Sequence, residues 1–429
     1  MNQSVLIDID ALRVGMFIQL DVSWMNHPFP RSRFKISSQE QIRVLRDLGL
    51  KSVRHFPGRS ATLAEAPSET PGRSADAPRV VSGGEPVSVP VAPPNQPGGD
   101  LRAIFRATQQ RCSKSYQEAI AVYAAVCAGV QTSPHAMCAQ AQALTHACVT
   151  QLLEQGPCAV HLLPDAPGQP GAGHAVNVMA LALLLGRALG MGAEELCNLG
   201  LSALLHDLGK VALPMHIGEP GAALNPSDMQ RYQQHVGLSV ELGQRMGLPS
   251  DVLIAIAQHH EMADGSGFPL HLVREDLSRC GQILALVNRY DRLCNPLHGE
   301  SAMTPHEALA RLFSVRRECF DAEVLGAFIR MMGVYPPGSL VQLVDGRYGL
   351  VVVVDASHSL RPCVMLYDTA VPASEAPLVA LAQGDGPGIL RSLKPGQLPR
   401  GALDYLLPQP RIQYFFERAI SAPDTGGGA

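Results

Sequence analysis

The feature that most limits how this chain can fold is a long series of helical apolar repeats between residues 101 and 332. Apolar residues recur every three or four positions through LRAIFRATQQRCSKSYQEAIAVYAAVCAGV (101–130) and SPHAMCAQAQALTHACVTQLLEQG (133–156), which is the spacing of amphipathic helices. The same periodicity continues from residue 171. We therefore predict a mainly α protein built around a helical bundle.

The N-terminal part of the chain predicts a small α+β module followed by a linker. VGMFIQLDV (14–22) and KSVRHF (51–56) are typical of strands, and SSQEQIRVLRDLGL (37–50) between them is typical of a helix. Residues 58–100 are rich in Pro, Gly, Ser and Ala. This composition buries too little apolar surface to offset the entropy lost on ordering, so we predict a flexible linker.

The C-terminal part predicts a small β-rich module. The runs SLVQLV (339–344), YGLVVVVDAS (348–357) and RPCVMLYD (361–368) are short, rich in β-branched residues and separated by Gly and Pro. The predicted organisation is an α+β module at 1–57, a flexible linker at 58–100, a helical lead-in at 101–157, a helical metal-binding domain at 158–335, a β-rich module at 336–420 and a disordered tail at 421–429.

Composition excludes several classes of function. Lys and Arg number 34 against 38 Asp and Glu, a formal net charge of −4, so the chain has no broad basic surface for a nucleic-acid polymer. Its ten cysteines form no CxxC pair, which favours reduced thiols in the cytoplasm. MNQSVLIDIDALRVG carries acidic residues where a signal peptide carries basic ones, and no stretch reaches about 18 uninterrupted apolar residues. We expect a cytoplasmic protein without a membrane span.

The candidate catalytic and metal-binding residues are concentrated in two runs, HDLGK (206–210) and HHEMADGSGFP (259–269). The adjacent imidazoles of His259 and His260 are hard to explain by packing, because buried imidazoles need polar partners that an apolar core does not supply. A lone histidine on an amphipathic helix is usually an ordinary core or surface residue. Together with His174 and His235 on other predicted helices, however, these runs favour a shared metal site.

We predict that the His206-Asp207 pair lies in a helix, which gives the HDLGK run the geometry of a phosphoryl site. The side chains of His206 and Asp207 then diverge by roughly 100° and can address two metals. Lys210 lies on the same face as His206, where its ammonium can meet a phosphate oxygen. The alternative is an exposed polar turn at a helix end. A zincin HExxH motif is a weak alternative for the second run, because Asp264 stands where the second His belongs.

The residues after the histidine pair have a functional and a structural interpretation. Asp264, Gly265 and Gly267 are typical of a turn in which backbone amides can approach an anion or a base, but such turns are also common without function. Phe268 can stack on a nucleobase or pin the loop to the core. Glu261 is either a partner that orients a metal-binding imidazole without binding the metal itself, or an ordinary charged residue near a helix end.

The two runs, in this order and at this separation, resemble the HD-GYP family, the bacterial branch of HD-type phosphohydrolases that open cyclic di-GMP. The resemblance covers about 171–335, and residues 1–57 with the linker resemble the small N-terminal domain often found before such domains. It implies an HD-type helical bundle that holds two divalent metals, most often iron or manganese, and acts in signalling. The metal ligands that it implies are His174, His206, Asp207, His235, His259 and His260.

The resemblance also implies a reaction. Cyclic di-GMP would be hydrolysed to pGpG or GMP by a metal-activated bridging water, with Asp207 and Lys210 as catalytic residues. The residues predicted to contact the substrate are Lys210, Asp264, Gly265, Gly267 and Phe268.

The sequence departs from the family pattern at several positions. Pro170 replaces the Glu of three-metal members, which favours two metals. Asn288 replaces a metal-binding Asp, and its carbonyl oxygen brings no charge, so metal affinity should fall. Residues 295–300 lack the arginines of the family, and Phe268 replaces Tyr. These departures leave an alternative open, a degenerate HD-GYP domain that senses a nucleotide or binds a signalling protein partner. Hydrolysis of another phosphate ester is a third interpretation.

Overall fold

The chain divides into two compact units, Met1–Gly99 and Asp100–Ala429. The computed structural model of the chain describes residues 4–20, 33–36, 42–43, 45–46, 52–57, 98–154, 156–164, 170–218, 224–297, 302–314, 317–355, 359, 362–381, 388–407 and 411–418.

The described residues of the smaller unit form an antiparallel sheet over a small apolar core. The strand order is β1-β4-β2-β3, with β1 at Val5–Asp8, β2 at Phe17–Gln19, β3 at Arg33–Lys35 and β4 at Ser52–His55. The strands predicted at 14–22 and 51–56 are confirmed by β2 and β4. Most of the predicted helix at 37–50, and the predicted linker apart from its last three residues, lie outside the described residues.

The larger unit is built around helices, as the apolar periodicity predicts. The helices predicted at 101–130 and 133–156 are confirmed. The helices are α1 (Gly98–Gly129), α2 (Pro134–Glu154), α3 (Pro170–Ala188), α4 (Ala193–Leu205), α5 (Met215–Gly218), α6 (Pro226–Met246), α7 (Ser250–Gln258), α8 (Arg279–Cys294), α9 (Pro305–Ser314), α10 (Ala322–Met332) and α11 (Arg400–Leu406).

Helix α3 lies at the centre of the bundle. Its residues 174–186 are all buried, on every side of the helix, which is the expected environment for a helix that is apolar all round. Among the described residues, Gly171–Ala188 is also the one helical stretch long and apolar enough to cross a membrane, but 78% of it is buried inside the protein. Its hydrophobicity is therefore accounted for by the core of the bundle.

An antiparallel sheet packs against the helices. The strands predicted at 339–344, 348–357 and 361–368 are confirmed by β6, β7 and β8. The order is β10-β6-β7-β5-β11, with β8 beside β7 and β9 beside β8. The strands are β5 (Cys158–Leu162), β6 (Leu340–Leu343), β7 (Tyr348–Asp355), β8 (Cys363–Leu366), β9 (Leu378–Ala380), β10 (Ile389–Leu393) and β11 (Tyr414–Arg418).

Strand β5 changes the predicted organisation of the chain. It comes from the start of the predicted helical domain, yet it lies between β7 and β11. Its five residues, CAVHL, are too few for periodicity to distinguish a strand from a helix, so the sequence did not predict it. The strands assigned to 336–420 therefore form one sheet with β5, a strand from the segment assigned to the helical domain.

Candidate metal centre

Four helices bring the predicted metal ligands together. His174 lies in α3 and His235 in α6, while His259 caps the end of α7. Helix α4 ends at Leu205, so the prediction that the His206-Asp207 pair lies inside a helix was wrong. The backbone leaves the helical conformation at Asp207, with φ −95° and ψ 6°, and enters a 3-10 turn at Leu208–Ala212.

Gly209 explains why the turn carries Asp207 so close to α6. A Cβ atom at Gly209 would lie 2.2 Å from the carbonyl oxygen of His235 and 2.5 Å from the backbone nitrogen of Ser239. Instead, the backbone N–H of Gly209 donates to Ser239 Oγ at 2.8 Å, and this hydroxyl donates to the carbonyl oxygen of His206 at 2.8 Å. Only glycine permits this approach of turn and helix.

The Asp207 carboxylate lies between two groups of imidazoles. Its Oδ2 is 3.4 Å from His206 Nε2 and 3.6 Å from His174 Nε2. Its Oδ1 is 3.3 Å from His235 Nε2 and 3.8 Å from His259 Nε2. Two groups of potential ligand atoms therefore share one carboxylate. The three-ligand group is His174, His206 and Asp207, and the four-ligand group is Asp207, His235, His259 and His260.

Backbone carbonyl groups fix the tautomer of three histidines. The Nδ1 atoms of His206, His235 and His259 lie 2.7, 2.5 and 2.6 Å from the carbonyl oxygens of the residues three positions earlier. A carbonyl oxygen only accepts, so each Nδ1 donates and each Nε2 carries a lone pair. The 3.2 Å contact between the Nε2 atoms of His235 and His259 is therefore between two acceptors. Converging lone pairs of this kind are suited to a cation.

The pKa shifts in the site favour neutral imidazoles at His174, His259 and His260 beside an ionised Asp207. Burial lowers the pKa of His174 to about 3, and the charge of Arg292 contributes to the same shift. Burial also places the pKa values of His259 and His260 well below their usual range. Burial alone would raise the pKa of Asp207, but the charge of nearby Lys210 opposes it, and that pKa lies well below its ordinary value. These are the protonation states that metal binding requires.

Two buried oxygens of the described residues support a cation site. Asp207 Oδ1 and Asn288 Oδ1 have no hydrogen-bond partner. The Nδ2 of Asn288, in α8, donates to the carbonyl oxygen of His259 at 3.2 Å. An unpaired buried acceptor costs roughly 1–3 kcal/mol, which coordination to a cation would relieve. The donor set of imidazole nitrogens and one carboxylate fits iron, manganese or zinc.

Two cationic side chains occupy one side of the shared carboxylate. Lys210 Nζ lies 2.6 Å and Arg292 Nη2 lies 2.8 Å from Asp207 Oδ2. Lys210 was predicted from the sequence and Arg292 was not, although Arg292 lies one helical turn after Asn288 in α8. The two groups are therefore unequal, because the three-ligand group shares Oδ2 with two cations while Oδ1 has no hydrogen-bond partner.

The loop after the histidine pair begins with an exposed turn and then packs against His260 and Glu261. Asp264 Oδ1 accepts hydrogen bonds from the backbone and hydroxyl of Ser266, in the turn that contains Gly265. A Cβ atom at Gly267 would lie 2.4 Å from Glu261 Cα. The Phe268 ring stacks on His260 with 4.4 Å between centroids. Phe268 thus contacts a ligand candidate directly, while Asp264 and Gly267 shape the loop.

Glu261 holds this loop in place. It is fully buried, and its Oε1 and Oε2 accept hydrogen bonds from the backbone N–H groups of Leu270 at 2.6 Å and Leu272 at 3.0 Å. Neither of the roles considered from the sequence describes these contacts, since Glu261 orders the backbone that follows Phe268. The sequence could not show this, because the partners of Glu261 are main-chain groups.

Replacing Glu261 by Gln should loosen the loop. The amide offers one acceptor in place of two, so the N–H of Leu270 or Leu272 would face a donor, and we expect stability to fall by about 1–3 kcal/mol. Hydrogen exchange of the Leu270 and Leu272 amides measures the effect, with Glu194→Gln on the exposed first turn of α4 as the control. Unchanged protection of both amides would contradict this role.

Comparisons with known proteins agree with a helical bundle that holds a buried His/Asp site. Residues 157–324 match a family model described as HD domain, and residues 4–140 match one described as a domain of unknown function, DUF3391. A cyclic di-GMP phosphodiesterase of Pseudomonas aeruginosa is 28% identical over 379 residues, 85% of each chain. A cyclic di-GMP phosphodiesterase response regulator of Xanthomonas campestris is 32% identical over 153 residues, 35% of this chain and 40% of the relative.

Among solved structures, an HDG"Y"P protein from Bdellovibrio bacteriovorus covers 75% of this chain and 97% of its own at 15% identity, with a TM-score of 0.38. The helical bundle, the buried His/Asp cluster and the match at 157–324 define an HD-domain protein. Residues 157–324 are thus an HD domain, a DUF3391 match lies before it, and curated relatives of the chain are named cyclic di-GMP phosphodiesterases.

Proposed function

We propose that this chain hydrolyses cyclic di-GMP to pGpG or GMP with two divalent cations, iron or manganese, one on each side of Asp207. The observation that carries the proposal is the pair of ligand groups that share the Asp207 carboxylate. The relatives named cyclic di-GMP phosphodiesterases support the choice of substrate. The proposed ligands are His174, His206 and Asp207 on one side, and Asp207, His235, His259, His260 and Asn288 on the other.

Each group of side chains would have a separate role in the proposed hydrolysis. The proposed ligands would hold two cations, whose chemistry would be to lower the pKa of a water and to neutralise charge on the phosphodiester. The hydrogen bonds of the Nδ1 atoms keep the imidazole rings from rotating and keep each Nε2 directed at the centre. Lys210 and Arg292, 12% and 15% exposed, lie beside Asp207 and can pair with the two phosphates of the substrate. Phe268 lies at His260, where its ring can stack on a base.

The second candidate is a degenerate domain that binds a nucleotide or a signalling partner without turnover. It is favoured by the position of Arg292, whose guanidinium pairs with the one carboxylate that both ligand groups need. Asn288 adds no negative charge to offset this cation. A cytoplasmic location and a protein partner stay predictions from the sequence.

Metal analysis beside a turnover assay separates the two candidates. The full chain is purified without oxygen, its metals are counted by mass spectrometry, and cyclic di-GMP is supplied with iron or manganese. About two metals per chain and formation of pGpG or GMP, lost with a chelator and restored by the metal, are expected of the enzyme. Little metal and no turnover would favour the degenerate domain. Other cyclic dinucleotides and mononucleotides in the same assay test the substrate.

A further inference from the structure

His174 is held differently from the other histidines of the centre. Its Nδ1 donates to Asp291 Oδ2 at 2.6 Å, whereas His206, His235 and His259 donate to backbone carbonyl groups three residues earlier. The orientation of His174 therefore depends on a side chain of another helix, α8. Anything that rotates the Asp291 carboxylate also rotates this imidazole.

Two asparagines fix the Asp291 carboxylate. Its Oδ1 accepts hydrogen bonds from Asn177 Nδ2 at 2.8 Å and from Asn295 Nδ2 at 3.0 Å. Asp291 is fully buried and Asn177 is 2% exposed, so water does not compete for these bonds. With both donors on Oδ1, the other oxygen is directed at His174.

The same two asparagines bind the segment that leads into β11. Asn295 pairs with Ile412 in both directions, since its Nδ2 donates to the carbonyl oxygen at 2.8 Å and its Oδ1 accepts from the backbone N–H at 2.9 Å. Asn177 Nδ2 donates to the same carbonyl oxygen at 2.9 Å, and its Oδ1 accepts from the N–H of Tyr414 at 2.9 Å. Strand β11 is the edge strand beside β5, so these side chains satisfy backbone groups that face away from the sheet.

We propose that the segment Ile412–Tyr414 is a positioning element of the metal centre. Through Asn177 and Asn295 it fixes the carboxylate of Asp291, which in turn fixes the ring of His174. The proposal rests on the proposed function for the role of His174 as a ligand, and it assigns a role to the C-terminal strand.

Loss of the contact with Ile412–Tyr414 should affect only one of the two ligand groups of the centre. His235 and His259 of the four-ligand group are oriented by carbonyl groups of Tyr232 and Ile256, in their own helices α6 and α7. Loss of the C-terminal contact should therefore weaken the three-ligand group and leave the four-ligand group intact. A contact that merely stabilised the fold would affect both groups alike.

The test replaces Asn295 by Asp, which preserves its shape. The variant loses the donor to Asp291 and to Ile412 and places a second carboxylate beside Asp291. The matched control is Asn225→Asp at the start of α6, because Asp caps a helix as well as Asn does. Asn295→Ala, which removes the same bonds without adding charge, is the second variant. The two measurements that follow, a metal titration and a proton resonance, both use the full chain.

The first readout is a titration of metal-free protein with Mn²⁺. We expect one of two binding events to weaken by about 10–100-fold in both Asn295 variants, with the other unchanged. The second readout is the downfield proton resonance of the His174 Nδ1–H group in metal-free protein, assigned by its loss in His174→Gln. We expect this resonance to shift or broaden in both variants and to stay unchanged in the control.

The outcomes separate this inference from the proposed function. Unchanged titrations and an unchanged His174 resonance would overturn the inference, and so would equal weakening of both binding events. A wild-type chain that binds fewer than two cations contradicts the proposed function, and the resonance, which needs neither metal nor substrate, then decides the inference by itself.

Discussion

Replacing Asp207 by Asn is expected to reduce the bound divalent cations to less than one per chain and to lower turnover of cyclic di-GMP at least about 10³-fold. The substitution keeps the shape of the side chain but removes the one carboxylate shared by both ligand groups. It also leaves Lys210 and Arg292 facing neutral imidazoles, which opposes binding of further positive charge. Mass spectrometry of the metals, beside the turnover assay, measures both effects.

The control for this prediction is Asp251→Asn. Asp251 is an exposed carboxylate in the first turn of α7, the helix that carries His259 at its end. Its loss removes a favourable interaction with the helix dipole, worth roughly 0.3–1 kcal/mol, and should leave metal content and turnover unchanged. A variant Asp207→Asn that kept both cations and its turnover would show that Asp207 does not bridge the centre.

Replacing Asn288 by Asp is expected to raise metal affinity at least about tenfold, because one added charge near a divalent cation is worth several kcal/mol even after screening by the protein. The buried and unpaired Oδ1 of Asn288 is the oxygen that would gain this charge. The rate should rise with metal occupancy when metal is limiting. A competition titration against a chelator of known affinity measures the change.

Asn288→Ala is the matched variant for this prediction. It removes the oxygen altogether, so metal affinity should fall below that of the wild-type chain. Equal affinities in the wild-type, Asp and Ala proteins would show that Asn288 is not a ligand. The low charge of the site would then not explain a weak or inactive enzyme.

Much of the helical fold could be predicted because the long amphipathic repeats in the sequence indicate helices directly. α1 and α2 follow the apolar periodicity closely, and β6, β7 and β8 coincide with β-branched runs. The site candidates were equally visible, because HDLGK and HHEMADGSGFP hold four of the six predicted ligands within two short runs. The structure brings all six predicted His and Asp ligands into two groups around Asp207.

The remaining features depend on contacts between distant segments, which leave no local pattern. Asn177 and Ile412 are far apart in sequence and meet only because α3 packs beside β11. Arg292 could be recognised only once α8 was known to face Asp207. Glu261 binds main-chain N–H groups, so its role depends on the path of the loop rather than on the identity of any neighbour.

The position of β5 between β7 and β11 has a consequence for synthesis on the ribosome. β5 is made before most of the helices of the larger unit, yet its partner β7 follows α10 and its partner β11 ends only at Arg418. A growing chain therefore carries an apolar strand with both edges unpaired while the ribosome translates the helices, and pairings this distant in sequence form late. Chaperones that cover exposed strands would act on this nascent segment until Arg418 has emerged.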